Sequence, residues 1–167
     1  GTSDKYDKFC VASEGYREHF IKKGANPDKL IITGIPNYDN AKEYLNNDFP
    51  HKGYVLCATS DVREALKYEN RRKTVENAVR IANGRQLIFK LHPNEKFERA
   101  KREINRWAPG ALVFQKENVH ELIANCDVLI TKYSTVVYTG MALGKEVLSE
   151  FPMEELKKLT PMQNDGK

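Results

Sequence analysis

Tyr54-Val55-Leu56-Cys57-Ala58 and Gln86-Leu87-Ile88-Phe89-Lys90-Leu91 are two short apolar runs, the kind of segment that forms a buried β-strand. Between them, Val75, Ala78 and Ala82 recur at the spacing that lines one face of an α-helix. A strand, a helix and a second strand in this order predict a β-α-β unit, in which the two strands run parallel. This unit favours an α/β fold.

The same alternation extends towards both ends of the chain. Near-continuous apolar strands indicate helices on both faces of a sheet, so we predict a Rossmann-like, doubly wound parallel sheet of about six strands, in three α/β/α layers. We interpret residues 1–167 as a single domain. The other predicted strands are Lys8–Ala12, Leu30–Thr33, Ala111–Phe114, Asp127–Thr131 and Glu146–Ser149. The other predicted helices are Glu14–Lys23, Tyr38–Leu45, Phe97–Trp107, Asn118–Ala124, Ser134–Gly144 and Met153–Leu159.

Composition excludes several classes of protein. The net charge of +4 is spread among interleaved acids, so no basic stripe suggests a nucleic-acid partner. No apolar run has the length of a membrane span, and no signal-peptide pattern opens the chain, so we expect a cytoplasmic protein. We expect both ends of the sequence to be boundaries inside a longer chain.

Cysteine usage argues against a metal or disulfide framework. Cys10, Cys57 and Cys126 are odd in number and match no zinc spacing, so we expect three buried thiols. The histidines other than His92 also lack metal-ligand spacing. We therefore expect no metal and no cofactor.

Residues that follow the predicted strands are rich in hydroxyls and cations. Open α/β sheets bind ligands beyond the carboxyl ends of their strands, so this composition favours an anion such as a diphosphate. The candidate binding residues are Thr59, Ser60, His92, Tyr133, Ser134 and Thr135.

His92 leaves a predicted buried strand at its ligand-facing end, and Pro93 fixes the turn that follows. An imidazole in this position can donate a hydrogen bond to a phosphate or ribose oxygen. The alternative is that His92 only ties down its own loop.

The turn Thr131-Lys132-Tyr133-Ser134-Thr135 joins a predicted strand to a helix. A helix start offers unpaired backbone amides and a favourable dipole to an anion, and Ser134 and Thr135 add hydroxyls. The alternative is that Ser134 simply caps the helix. The two roles are compatible, because a cap and a phosphate can share one turn.

Several familiar motifs are absent from the sequence. No GxGxxG follows a predicted strand, and neither a GxxxxGK[ST] phosphate loop nor a GxSxG nucleophile elbow occurs. Asp61 and Glu64 follow the strand at 54–58, and we interpret them as first-turn residues at the positive end of the next helix rather than catalytic acids.

Two segments carry a family resemblance. Leu87-Ile88-Phe89-Lys90-Leu91-His92-Pro93 resembles the His-Pro motif of GT-B enzymes, and the segment from Cys126 to Thr135, continuing to Lys145, resembles their serine motif and its helix. Val11-Ala12-Ser13-Glu14 and residues 32–37 resemble the crossover between the two GT-B halves, so residues 1–36 could belong to that crossover. The group includes CDP-glycerol glycerophosphotransferases, bacterial capsule sialyltransferases and UDP-N-acetylglucosamine 2-epimerases. The resemblance covers nearly the whole chain and implies the carboxy-terminal GT-B half.

This resemblance implies a function as well as a fold. In such enzymes the carboxy-terminal half binds the donor nucleotide, so His92 and the Ser134-Thr135 turn would hold its phosphates. The amino-terminal half, absent from this sequence, would bring the acceptor site and usually the catalytic base. The implied partners are a nucleotide-activated sugar or polyol phosphate and that missing half, and the resemblance allows peripheral membrane association of the full-length enzyme.

The sequence also departs from these families. The epimerases carry His-Arg-Arg-Glu where this chain has Thr59-Ser60-Asp61-Val62-Arg63-Glu64, and the transferases commonly carry an acid where this chain has Lys132. We therefore favour a GT-B glycosyl- or glycerophosphotransferase of cell-surface polysaccharide synthesis, inactive as this fragment. A UDP-N-acetylglucosamine 2-epimerase-like domain and a non-catalytic nucleotide-binding module remain alternatives.

Overall fold

The computed structural model describes residues 5–65, 68–132 and 134–164, and these residues form two compact units. The larger unit spans residues 44–150, and the smaller one combines residues up to 43 with those from 151 onward. The prediction of one domain over residues 1–167, with a crossover in residues 1–36, stays a prediction.

Strands and helices alternate along the described chain. The strands are β1 (Phe9–Val11), β2 (Leu30–Ile32), β3 (Tyr54–Ala58), β4 (Leu87–Lys90), β5 (Leu112–Phe114), β6 (Cys126–Thr131) and β7 (Glu146–Ser149). The α-helices are α1 (Glu14–Lys22), α2 (Pro36–Asp39), α3 (Arg71–Ala82), α4 (Phe97–Trp107), α5 (Val119–Asn125), α6 (Val136–Ala142) and α7 (Met153–Leu159). Short 3-10 helices cover Pro27–Lys29 and Ala41–Leu45.

The larger unit is built on a parallel sheet with the strand order β5-β4-β3-β6-β7. In β3, Val55 and Cys57 pack on one face of this sheet in the cluster that contains Val75 of α3 and Ile104 of α4. Alternate β3 residues point the other way, and Leu56 lies in the cluster that contains Leu122 of α5. Strand alternation therefore covers both faces with helices, which gives the predicted α/β/α layers.

The smaller unit contains the parallel pair β1-β2 with α1 and α7. Ser13 caps α1 as the sequence predicts, because its hydroxyl accepts a hydrogen bond from the Tyr16 amide at 3.3 Å. The sequence predicts about six strands in one sheet, whereas the described residues form five in one sheet and two in another. The segments that form strands agree with those predicted.

Two local predictions are wrong. Asp61 and Glu64 do not begin a helix: residues 62–65 form a turn, and α3 begins at Arg71 with Asn70 as its cap. Tertiary bonds override the local dipole preference, because Asp61 accepts a hydrogen bond from the Asn94 side chain at 3.0 Å and Glu64 pairs with Arg99.

Cys10 is the second correction, because its thiol is exposed whereas Cys57 and Cys126 are buried as expected. The reason is strand alternation: in the short strand β1 the neighbouring Val11 points into the core, so Cys10 points outwards. No helix among the described residues is both long and apolar enough to span a bilayer.

Candidate functional site

The strand order fixes where a ligand is expected. The chain proceeds from β3 to β4 and β5 on one side, and β6 and β7 then lie on the other side of β3. The direction of winding therefore reverses between β3 and β6, and such a switch point opens a crevice at the carboxyl ends of the strands. Strands β4 and β6 both pair with β3 in parallel, so the residues after them lie at the same edge of the sheet. His92 and Ser134 are thus at one edge, as the sequence predicts, while their separation of about 10 Å or less stays a prediction.

A cavity of about 670 Å³ opens at this switch point. Its wall at the sheet edge is formed by the ends of β3, β6 and β7, and α3 forms a further wall. The edge contributes hydroxyls and a cation, whereas the inner part is more apolar. Residues at the edge include Thr59, Ser60, Thr131, Lys132, Ser149 and Glu150, and the inner part includes Ile81, Ile130 and Leu148.

Two hydroxyls in the cavity wall are available to a ligand. Ser60 Oγ and Thr131 Oγ1 are buried without a hydrogen-bond partner among the described residues. A buried polar atom without a partner costs free energy, so such atoms often mark a place that a ligand or water satisfies. Thr59 differs, because its hydroxyl donates to the carboxylate of Glu95, and the carbonyl oxygen of Lys90 lies 3.3 Å from the same hydroxyl oxygen.

Arg71 forms the centre of a buried ion-pair cluster behind this edge. Its guanidinium contacts the carboxylate of Glu95 and lies 3.1 Å from that of Glu69. Only 4% of the Arg71 side chain is exposed, and 2% of each carboxylate side chain. Buried charges persist only when paired, so Arg71 holds together the start of α3 and the loop after β4.

Lys132 links this cluster to the cavity. Its ammonium lies 3.4 Å from the buried carboxylate of Glu69 and 3.9 Å from the half-exposed carboxylate of Glu150. Lys132 lines the cavity and is 28% exposed. A cation therefore stands at the end of β6, beside the free hydroxyl of Thr131.

The His92 loop is held by its own residues. Glu95 accepts the His92 backbone amide at 2.9 Å, and Nδ1 of the His92 ring accepts the Asn94 amide at 3.2 Å. The ring is 38% exposed and its Nδ1 lies 3.8 Å from the Asp61 carboxylate. The interpretation that His92 ties down its own loop thus has a contact behind it, and the role of the ring in binding a ligand stays a prediction. The ring does not line the cavity.

The Ser134 turn begins α6 one residue later than predicted. Thr135 takes the N-cap position, and Ser134 Oγ accepts a long hydrogen bond of 3.5 Å from the Val136 amide. The simple-cap role of Ser134 is therefore weak. Ser134 and Thr135 do not line the cavity, and Tyr133 lies outside the described residues.

The cavity wall includes a buried thiol. Burial raises the pKa of the Cys57 thiol to about 12, so this cavity-lining cysteine is protonated at neutral pH. The described part of the chain contains no group of three or more His, Cys, Asp or Glu residues placed to hold a metal ion. The cavity lining combines hydroxyls and three cations with the carboxylates of Glu69, Glu76 and Glu150.

Sequence reasoning missed the Glu69-Arg71-Glu95 cluster. The segment Glu69-Asn70-Arg71-Arg72-Lys73 looks like a solvated charge run, and only proximity to Glu95 in space distinguishes Arg71 from its neighbour Arg72. One signal was available: Arg71 shares the helical face of Val75, Ala78 and Ala82, which the pattern assigns to the core.

Comparison by sequence matches the chain to no family model and to no curated protein. Comparison by structure finds a Listeria monocytogenes protein assigned to the UDP-N-acetylglucosamine 2-epimerases, at 16% identity and a TM-score of 0.69, over 93% of this chain and 45% of that one. The UDP-GlcNAc 2-epimerase of Methanocaldococcus jannaschii is similar at 13% identity and a TM-score of 0.64, over 86% and 45%. The wall teichoic acid polymerase TagF is similar at 16% identity and a TM-score of 0.54, over 87% and 39%.

The fold is that of one half of a GT-B enzyme. The chain spans less than half the length of each of these structures. At such low identity the likeness concerns the fold, and the site of this chain has to be argued from its own residues.

Proposed function

We propose that this chain is the donor-nucleotide-binding half of a cytoplasmic GT-B transferase that uses a nucleotide-activated sugar or polyol phosphate in cell-surface polysaccharide synthesis. The observation that carries the proposal is the cavity at the switch point between β3 and β6, with free hydroxyls and a cation at its edge. Structural neighbours support it, because the Methanocaldococcus jannaschii epimerase was solved with UDP-GlcNAc and UDP, and Staphylococcus aureus MnaA with UDP.

The cavity has a polar edge and a more apolar inner part, and this division suits a nucleotide. A diphosphate fits the edge, where Ser60, Thr131 and Lys132 offer hydroxyls and an ammonium. The base and ribose fit the apolar part, near the ring of Tyr68, which is 88% exposed and lines the cavity. His92, Ser134 and Thr135 flank the same edge and complete the proposed set, with Tyr133 and Thr59.

The chemistry would be positioning and charge stabilisation of the departing nucleotide phosphate. The buried acids Glu69 and Glu95 are both committed to Arg71. The carboxylate of Asp61 lies 3.8 Å from Nδ1 of His92, but neither residue lines the cavity. The catalytic base would then come from another domain, and the isolated chain would bind nucleotide without turnover.

A UDP-N-acetylglucosamine 2-epimerase-like domain is the second candidate, and the higher TM-scores of the epimerases favour it. The segment Thr59-Ser60-Asp61-Val62-Arg63-Glu64 lacks the His-Arg-Arg-Glu of that family and counts against it. Sequencing the reading frame upstream would separate the two, because the acidic motifs of the preceding domain differ between transferases and epimerases.

The test is titration of UDP, CDP and CMP into the isotope-labelled chain, followed by NMR. We expect a dissociation constant near ~1 mM, because half of a closed GT-B cleft is missing. Shifts should concentrate at the ends of β3 and β6. Replacing Ser60 by Ala or His92 by Ala should weaken binding by about 1.5–3 kcal/mol where a charge-assisted bond to phosphate is lost.

The control is Glu98→Ala, an exposed change on α4 at a residue that does not line the cavity. Absence of binding by all three nucleotides would remove the nucleotide-site assignment. Turnover of a nucleotide sugar by this chain alone would overturn the half-enzyme proposal.

A further inference from the structure

Lys132 stands between two carboxylates of different character. Glu69 is 2% exposed and lies 3.4 Å from the ammonium, whereas Glu150 is 50% exposed and lies 3.9 Å away. Glu69 is fixed in the protein interior. Glu150 is a solvated side chain after β7, and breaking its ion pair with Lys132 costs little free energy.

The formal charges of the buried cluster indicate which of the two carboxylates needs Lys132 as its counter-ion. The carboxylates of Glu69 and Glu95 both pair with Arg71, so these three side chains together carry one excess negative charge. The ammonium of Lys132 neutralises that charge, so we expect its ion pair with Glu69 to persist when a ligand binds. Glu150 is surplus to this balance, and its carboxylate adds a negative charge beside the cavity.

The surroundings of the ammonium suit an anion. Thr131, the residue before Lys132, is 4% exposed, lines the cavity and has an unpaired Oγ1 among the described residues. Ser60 Oγ is likewise unpaired in the same wall. Two hydroxyls and an ammonium can hold a phosphate. Of the described carboxylates that line the cavity, Glu69 pairs with Arg71 and Glu76 with Arg72, whereas Glu150 is the half-exposed carboxylate beside the Lys132 ammonium.

We infer that Lys132 binds the phosphate of the ligand and that Glu150 competes with that phosphate for the ammonium. This inference rests on the proposed function and adds to it a pair that sets the affinity for the phosphate. A diphosphate and a monophosphate both have to displace the same carboxylate, so Glu150 lowers the affinity for both. A nucleoside carries no phosphate, and its affinity does not depend on this pair. No bond is made or broken: the ammonium exchanges one carboxylate partner for a phosphate oxygen.

The test compares UDP, UMP and uridine by NMR titration of the 167-residue chain and its Glu150→Gln and Lys132→Met variants. Glu150→Gln should tighten UDP binding by about 3- to 10-fold, since it removes a carboxylate that lies 3.9 Å from the ammonium that the phosphate has to contact. It should tighten UMP binding by a similar factor and leave uridine binding unchanged. Lys132→Met should weaken UDP binding by about 5-fold or more.

Several controls make the result decisive. A gain in affinity cannot come from damaged folding, so Glu150→Gln remains informative even where Lys132→Met loses stability. Glu98→Gln, at an exposed carboxylate on α4, should leave UDP binding unchanged. The gain from Glu150→Gln should shrink at high salt, because screening already weakens the competing charge.

The outcomes separate this inference from the proposed function. No binding of UDP by the unaltered chain would remove the nucleotide site itself, and the inference with it. Binding of UDP by the unaltered chain that neither Glu150→Gln nor Lys132→Met alters would overturn the inference and leave the nucleotide site standing. Equal effects on uridine and UDP would also overturn it, because uridine carries no phosphate.

Discussion

The backbone amide of His92 donates a hydrogen bond of 2.9 Å to the carboxylate of Glu95. The same carboxylate group contacts Thr59 at the end of β3 and Arg71 at the start of α3. The conformation of the His-Pro loop is therefore set by a buried acid rather than by Pro93 alone. The buried ion pairs of Glu95 therefore fix the position of the His92 loop relative to β3 and α3.

The first prediction concerns Arg71. Its replacement by Met leaves the carboxylates of Glu69 and Glu95 buried without their cation, and breaking a buried pair in this way costs roughly 3–5 kcal/mol of unfolding free energy. Urea unfolding followed by circular dichroism measures the change. The matched control is Arg72→Met: Arg72 is 67% exposed and pairs with Glu76 on the same helix, so the loss should stay within about 0.5 kcal/mol. Equal losses for the two variants would contradict the assigned role of Arg71.

The second prediction concerns Lys90, a 7% exposed lysine at the end of β4. Its ammonium donates to the carbonyl oxygens of Leu91 and Gln115 at 3.0 and 2.8 Å, and burial lowers its pKa below the ordinary value. The folded chain thus binds this proton less tightly than the unfolded chain does. The resulting cost to stability is complete below the lowered pKa and is relieved as the pH rises from there towards the ordinary lysine value.

The measurement for Lys90 is a difference between two proteins. We expect the unfolding free energy of the unaltered chain, minus that of Lys90→Met, to increase between pH 7 and pH 9.5. Other groups titrate equally in both proteins and cancel. Lys116→Met, at an exposed position, should show no such trend. A difference that falls with pH would show that Lys90 is stabilised, not penalised, in its charged form.

The strands and the layer order could be predicted because they depend on local pattern. Runs such as Tyr54–Ala58 are apolar over their whole length, and turn residues bound them, so burial on both faces follows from the sequence. The edge position of His92 follows equally, since parallel strands all end at one side. These properties need no knowledge of which residues meet across the fold.

The environments of Asp61, Arg71 and Lys132 depend on contacts between distant segments, which no local sequence pattern predicts. Asp61 suits the first turn of a helix in isolation, yet its hydrogen bond to Asn94 keeps it in a turn. Arg71 and Arg72 are neighbours in one charge run, and only the position of Glu95 makes the first a buried ion pair and leaves the second on the surface. The charge balance at Lys132 likewise required the fold to be known.

The third prediction tests the close approach of α1 and α7 in the smaller unit. A Cβ atom added at Gly15 would lie 2.1 Å from the backbone carbonyl oxygen of Lys158, which cannot move without moving α7. Gly15→Ala should therefore reduce hydrogen-exchange protection of the α7 amides by a factor that corresponds to about 1–3 kcal/mol. Glu18→Ala, an exposed change on the same helix, should leave that protection intact. Unchanged protection in Gly15→Ala would mean that the two helices are not packed so closely.

The last prediction concerns the three free cysteines, which differ sharply in exposure. Cys10 is exposed, whereas burial raises the pKa of both Cys57 and Cys126 to about 12. The thiolate is the reactive form, so the two buried thiols are both shielded and protonated at pH 8.

The native chain at pH 8 should therefore release one equivalent of thionitrobenzoate rapidly from Ellman's reagent, and the urea-unfolded chain should release three, because unfolding exposes Cys57 and Cys126. Cys10→Ser should remove the fast phase and leave the two slow equivalents, whose rate then reports opening of the larger unit, which contains both remaining cysteines. Rapid reaction of Cys57 in the native chain would show that the floor of the candidate cavity opens to solvent, and the cavity would then lose the dry apolar wall that base binding requires.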